Sequence, residues 1–353
     1  MKRIKIFLGA YVNFANAQNI NCDHIAKYLD KDKFEVHTMY TTMMPVDKKA
    51  YKAMGIKLHR LWHHRIVWML TKLWAMRRAK CDIYYLPKME KMDVSFAKKH
   101  KGKGKVFISS VEGVVGEQIP ADSIEQREYF TQVMDESFSI SKCVCQSVKN
   151  CWQYDSEVLY LGVDEVADGC RQKTRVQNIV WVGSVSERKR PQLLLECAKE
   201  FPNLNFTIIG DGEKSQEILE RIHVEDIQNV RYLGRIANDK VYEELKNADL
   251  LLMTSDKEGL PKVIGEAMSS SLPTIYINEC YTVDYIQDGV NGFGVANVEE
   301  MQERLQYLLD NPAIYQEMSK QAFENIQKYR WSELIKEYEE YFEHALEKYG
   351  KKE

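Results

Sequence analysis

Residues 250–277 read LLLMTSDKEGLPKVIGEAMSSSLPTIYI. The apolar run 250–253 predicts a buried strand. A short loop follows, Ser255-Asp256-Lys257-Glu258-Gly259-Leu260-Pro261, then a helix, then a second apolar strand. Pro261 suits a first helical turn, where its missing N–H costs nothing. The backbone amides after it are directed at the mouth of the loop, and the helix dipole adds partial positive charge there. Two carboxylates, Glu258 and Glu266, stand eight positions apart across the junction. The physical reading is a phosphate site with one acid before it and one acid a turn further in.

The rest of the chain repeats the strand–helix alternation of open α/β sheets. In the first half, strands are expected at Ile4–Leu8, Phe34–Met39, Ile83–Leu86, Val106–Ile108 and Lys142–Cys145, with a helix at Ile20–Leu29 and a basic helical stretch after residue 39. In the second half, strands are expected at Asn178–Val182, Phe206–Ile209, Val230–Leu233 and Thr274–Ile277 around the stretch quoted above. Helices are expected between them at Pro191–Glu200, Ser215–Arg221 and Asp239–Asn247. The fold class is therefore α/β with two Rossmann-like domains. At 353 residues the chain is long enough for two cores.

Hydrophobic content of 44% with 29% charged residues excludes a disordered chain. No run approaches the ~18 apolar residues of a membrane span. The opening segment, MKRIKIFLGA, is interrupted by Lys5 and is expected to be a first buried strand ending at Gly9. A cytoplasmic protein is the expectation. Its eight cysteines fit free thiols in a reducing compartment; Cys143 and Cys145 would lie on one face of a strand, without the paired C-x-x-C spacing of a zinc site.

The stretch Glu258-Gly259-Leu260-Pro261, Glu266-Ala267-Met268 and Leu272-Pro273 resembles the retaining glycosyltransferases of family 4, with their E-x7-E signature and GT-B fold. The resemblance is close over residues 178–310 and holds in outline over 1–165. It implies an acceptor-binding domain at 1–165, a nucleotide-sugar-binding domain at 166–330 across a cleft, and a C-terminal segment, 331–353, crossing back to the first domain. Val182-Gly183-Ser184-Val185-Ser186-Glu187-Arg188-Lys189-Arg190-Pro191 resembles the loop of this family that meets the donor phosphates.

Transfer from a nucleotide sugar requires a diphosphate to leave, and its developing charge must be met by a metal or by fixed donors and cations. The resemblance implies the second route, with no metal and no cofactor beyond the UDP- or GDP-sugar itself. Lys189 falls at the phosphate lysine. Ser184 replaces the arginine usual after Gly183, leaving Arg188 or Arg190 to supply the second charge. Glu266 would bind the ribose hydroxyls and Glu258 those of the donor sugar. Main-chain groups at Gly259 and Leu260 would touch the sugar, those of Lys262 and Val263 the diphosphate, and those of Arg235 and Ile236 the base. Gly9 would let the first domain approach the phosphate or sugar, unless it serves a plain tight turn. Glu112 stands where the family often has a sugar-contacting histidine; it either bonds the sugar, marks a different donor, or is a bystander.

Residues 48–105 hold 17 basic and 3 acidic side chains, a balance of +14 in a chain whose net charge is −3. Such a block signals an anionic partner. Within it, HRLWHHRIVWMLTKLWAMRRAK at 59–80 places apolar positions 62, 66, 69, 70 and 73 at helical spacing. Two readings stay open: a helix lying on an anionic membrane surface, or a core helix with a wet basic face. Nucleic acid is not expected, since no reader motif is present. A metal site at His59, His63 and His64 is the least favoured reading. The function expected is hexose transfer to a glycan or lipid-linked acceptor in surface polysaccharide or glycolipid synthesis. The alternative is a catalytically silent partner subunit.

Overall fold

The computed structural model describes residues 3–14, 16–62, 64–116, 122–164, 166–167, 169–278 and 283–350. His63 therefore lies outside the described residues. The chain divides into two compact units, Met1–Gly162 with Trp331–Glu353, and Val163–Arg330.

The first unit holds a parallel sheet of β1 (Ile4–Tyr11), β2 (Phe34–Thr41), β3 (Lys57–Leu61), β4 (Ile83–Tyr85), β5 (Val106–Val111) and β6 (Glu136–Ser139), in the order β3-β2-β1-β4-β5-β6. The second holds β7 (Asn178–Val182), β8 (Asn205–Ile209), β9 (Val230–Tyr232), β10 (Leu250–Met253), β11 (Thr274–Ile277) and β12 (Gly292–Val295), in the order β12-β11-β10-β7-β8-β9. Counted from each unit's first strand, both orders are 3-2-1-4-5-6, the doubly wound arrangement. The expected pair of Rossmann-like α/β units is thus what the chain forms. Each sheet has its topological switch between the first and fourth strands, β1/β4 and β7/β10.

Why these segments become strands is clearest in the second unit. Parallel strands are covered on both faces, so they read as continuous apolar runs. Alternate residues Ile179 and Trp181, Phe206 and Ile208, Leu250 and Leu252, Ile275 and Ile277 enter one core with Leu194, Leu195 and Met301. In the first unit the C-terminal helix, Trp331–Tyr349, completes the core. Tyr338 donates to the Tyr160 carbonyl at 2.9 Å, and Trp331 stacks on His24 with ring centroids 5.3 Å apart. Gly162 is obligatory beneath that ring, because a Cβ there would come within 2.2 Å of the Trp331 indole.

Several expected elements differ. Lys142–Cys145 is not a strand; it begins the helix Lys142–Trp152, whose N-cap Ser141 accepts from the Val144 amide at 3.2 Å. The strand is Glu136–Ser139, just upstream. The basic stretch after residue 39 is not one helix: it contains a short helix Lys48–Ala53, the strand β3, and then the helix Arg65–Ala79. Gly9 lies inside β1, not at its end. A Cβ on Gly9 would meet Leu86 Cδ2 at 2.6 Å and the Tyr85 carbonyl at 3.0 Å, so the glycine makes room for β4.

Candidate active site

In open α/β sheets, ligands bind beyond the carboxyl ends of the strands at the switch point. In the second unit that place is flanked by the loop after β7, residues 183–190, and the loop after β10, residues 254–261. Backbone hydrogen bonds lock the first loop to its neighbours. Gly183 donates to Ile209, Val185 to Asp211, and Gly210 to Gly234, at 3.0, 3.1 and 2.9 Å. This stacking depends on glycine at 210, where φ is 139° and a Cβ would fall 1.7 Å from the Gly183 carbonyl oxygen.

The two loops are then tied together. Trp181 Nε1 donates to the buried Thr254 hydroxyl at 2.9 Å, and that hydroxyl donates to the Lys189 carbonyl at 2.8 Å. The Asp256 amide donates to the Arg188 carbonyl at 2.9 Å. Arg190, in left-handed backbone at φ 46°, donates from Nε to the Thr254 carbonyl at 2.8 Å and from Nη2 to the Ser255 carbonyl at 3.3 Å.

This framework brings Lys189 and Arg188 onto one carboxylate. Lys189 Nζ is 2.6 Å from Glu258 Oε1, and Arg188 Nη1 is 2.7 Å from the same oxygen and 2.7 Å from the Lys257 carbonyl. The Lys189 and Glu258 side chains are 13% and 12% exposed, whereas Arg188 is 51% exposed. Burial pulls the Lys189 pKa below the ordinary lysine value; the charge and hydrogen bond of Glu258 oppose that pull without cancelling it. Of the two arginines open for the second charge, Arg188 therefore faces the site, while Arg190 is spent on loop carbonyls.

Pro261 forms the N-cap of the helix Lys262–Ser269, with φ −73° and ψ 107°, one residue before the first turn. Leu260 is buried, and Lys262 and Val263 open the helix. Glu266 is half-buried one turn further on. Burial first, then the charges of Glu266 and Asp164, raise the pKa of Tyr242, whose hydroxyl donates to Asp164 Oδ2 at 3.2 Å. Arg235 is exposed and Ile236 half-buried in the loop after β9, beyond Gly234 at φ 64°. Ser184 is exposed, its hydroxyl 3.4 Å from that of Ser186.

In the first unit, Glu112 follows β5 and accepts from the Ser110 hydroxyl at 3.0 Å; Ser110 in turn meets the Tyr85 hydroxyl at 2.7 Å. Glu112 lines a cavity of about 340 Å³ together with Gln18, Lys88 and Trp152, at the carboxyl ends of β4 and β5. His59 does not join a histidine cluster with His64. Its Nε2 lies 2.9 Å from His37 Nδ1, and burial lowers its pKa to about 4.

Sequence reasoning did not find Thr254, Arg190 as an anchor, or the Tyr242–Asp164 pair. For Thr254 a signal was available: a threonine ending an otherwise apolar strand at the switch point. A larger depression of the second unit, about 400 Å³ and lined by Asn178, Asn205, Asn229 and Arg231, receives nothing from the loops after β7 and β10.

Residues 171–325 match the family described as Glycosyl transferases group 1. An uncharacterized glycosyltransferase of Haemophilus influenzae is 29% identical over 174 residues, 47% of this chain and 49% of that protein. The O-antigen biosynthesis glycosyltransferase WbnH of Escherichia coli is 27% identical over 154 residues, 43% of this chain and 44% of that protein. The chain thus spans about half the length of these curated relatives. HepE of Anabaena, solved in complex with UDP, superposes with a TM-score of 0.77 at 14% identity, covering 97% of this chain and 100% of HepE. The chain has the GT-B fold.

Proposed function

We propose that this protein is a retaining glycosyltransferase that moves a hexose from a UDP- or GDP-sugar to a glycan or lipid-linked acceptor. The observation that carries this reading is the convergence of Lys189 and Arg188 on Glu258, beside the N-terminus of the Lys262–Ser269 helix. Two cations and a helix N-terminus are what a departing diphosphate requires when no metal takes part. A carboxylate among them is suited to accept hydrogen bonds from sugar hydroxyls.

In this reading Lys189, Arg188 and the amides of Lys262 and Val263 hold the diphosphate, and Glu266 bonds the ribose. Glu258 and the main chain at Gly259 and Leu260 orient the hexose, and main-chain groups of Arg235 and Ile236 flank the base. Gly183 keeps the loop that carries Lys189 in place. The first unit takes the acceptor, with Glu112 and its cavity offering polar groups to a sugar. The similarity to WbnH, named for O-antigen biosynthesis, supports a surface glycan as product. HepE, solved with UDP and with UDP-glucose, supports a nucleotide-sugar donor.

A donor-hydrolysis assay over a panel of UDP- and GDP-sugars tests the proposal. At least one donor is expected to be turned over by the wild type and not by Glu258→Ala. Equal, background-level signals from both proteins with every donor would instead favour a silent subunit.

A further inference from the structure

The depression of about 400 Å³ in the second unit lies at the amino ends of its strands, where Asn178 opens β7 and Asn205 opens β8. The loops that carry Lys189 and Glu258 leave the opposite ends. The five residues of β7 put about 16 Å between the two places. Parallel strands covered on both faces are apolar throughout. β8 and β9 break that pattern. Phe206 and Ile208 enter the core, and Val230 and Tyr232 pack against it. The residues alternating with them, Asn205, Thr207 and Arg231, therefore occupy the other face. They line the depression together with Glu244 and Asn247 of the helix Asn238–Asn247.

The polar groups on this face are held in place. Asp249 Oδ2 accepts from the Gln177 and Asn178 amides at 3.0 and 2.8 Å and from Asn178 Nδ2 at 3.3 Å. Asn178 Oδ1 in turn accepts from Asn205 Nδ2 at 3.0 Å. This relay orients the Asn205 amide, and among the described residues it leaves the amide oxygen without a donor. Asn247 is exposed at the end of its helix. The Arg231 guanidinium bonds Glu244 and lies 3.4 Å from the Thr207 hydroxyl.

That lining selects a ligand by its chemistry. An anion must compete with Glu244 for Arg231, and a cation with Arg231 for Glu244. An apolar ligand finds little to cover, because Ile179, Val180 and Phe206 are already buried. A neutral ligand dense in hydroxyl groups suits the site, since each hydroxyl both donates and accepts, as an amide does. The volume is that of a ligand pocket, for which about 300–1,000 Å³ is usual.

We propose that this depression is a glycan-binding site separate from the transfer site, holding a neutral oligosaccharide stretch against Asn205, Thr207 and Asn247. Amides fixed beforehand lose little freedom when the sugar hydroxyls replace water. A glycan gripped there stays with the protein while the donor site empties and refills. The choice of a glycan among hydroxyl-rich ligands rests on the transferase reading.

Saturation-transfer NMR on the full chain tests it, with malto-, cello- and manno-oligosaccharides as probes and no nucleotide present. At least one series is expected to bind. N205A/N247A changes two exposed side chains and should keep the wild-type melting curve, yet bind that series about tenfold or more weakly. Glu258→Ala should bind it as wild type does, because Glu258 lies beyond the other ends of the strands. Failure of the transferase reading would appear in donor hydrolysis and leave this binding intact. The proposal is overturned if no series binds, or if N205A/N247A binds equally. It is also overturned if Glu258→Ala abolishes binding, since the sugar then occupies the donor site. Displacement of the oligosaccharide by inorganic phosphate overturns it as well, because Arg231 then serves an anion.

Discussion

Lys189 Nζ and Glu258 Oε1 lie 2.6 Å apart, bonding the residue proposed for phosphate to the residue proposed for sugar. The contact is more than a neutralised pair. Glu258 is the principal charge keeping a buried lysine protonated, so the acid tunes the cation beside it as well as offering itself to a substrate.

That coupling has a signed pH consequence. A diphosphate held by Lys189 as proposed would need the lysine protonated, so affinity for UDP is expected to fall as pH rises through the Lys189 pKa. Glu258→Gln removes the charge that opposes burial and lowers that pKa further. Titration calorimetry with UDP between about pH 7 and 10 should show affinity failing at a lower pH in Glu258→Gln than in wild type. A shift toward higher pH would separate the two residues functionally. For stability the sign is the reverse. Because the folded pKa lies below the unfolded one, the buried charge costs stability at neutral pH, and the cost fades as pH approaches the unfolded value.

The two arginines of the loop after β7 should separate by assay. Arg188→Ala removes an exposed guanidinium facing the site. UDP binding is expected to weaken by about 1–2 kcal/mol with little change in melting temperature. Arg190→Ala leaves the Thr254 and Ser255 carbonyls without their donor. Here the melting temperature should fall, with a loss of about 1–3 kcal/mol. Swapped outcomes would mean that the site-facing and anchoring roles have been exchanged.

Gly210→Ala should be among the most damaging single-methyl changes in the second unit. Its φ of 139° is strained for alanine, and the added Cβ would overlap the Gly183 carbonyl. Denaturant melts are expected to show a loss of about 3 kcal/mol or more, accompanied by lost nucleotide binding. A loss below about 1 kcal/mol would show that the stacked loops relax easily.

In the first unit, Lys72→Met strands the Glu90 and Asp93 carboxylates around an apolar side chain. The expected cost is about 3–5 kcal/mol, whereas the triple change Lys72→Met, Glu90→Gln, Asp93→Asn should recover much of it. Urea unfolding of both variants checks this. A triple variant as unstable as the single one would rule out the unpaired charges as the cause.

Much of the second unit was readable because its strands are nearly pure apolar runs, as at Leu250–Met253, and its turns are marked by Gly210, Gly212 and Pro261. The first unit hid more. β3 reads Lys57-Leu58-His59-Arg60-Leu61, with no apolar alternation; it is a strand because it pairs with β2 from His37↔Lys57 to Thr41↔Leu61. β6, Glu136-Ser137-Phe138-Ser139, lost out to the more apolar Cys143–Cys145 stretch, which Ser141 instead caps into a helix. The roll of the Arg65–Ala79 helix was beyond reach, because the carboxylates that bury Lys72 lie 18 and 21 residues away. At the site, the spacing of Glu258 and Glu266 was plain in the sequence. The bond from Glu258 to Lys189 joins strands far apart in the chain and needed the sheet order to be known.

The most direct test is a crystal structure of the protein with UDP, collected without added divalent metal. The diphosphate is expected within hydrogen-bonding distance of Lys189 Nζ and of the Lys262 and Val263 amides, with the ribose hydroxyls on Glu266. A nucleotide lodged elsewhere, with Lys189 bonded only to Glu258 and a metal required for binding, would contradict the proposal.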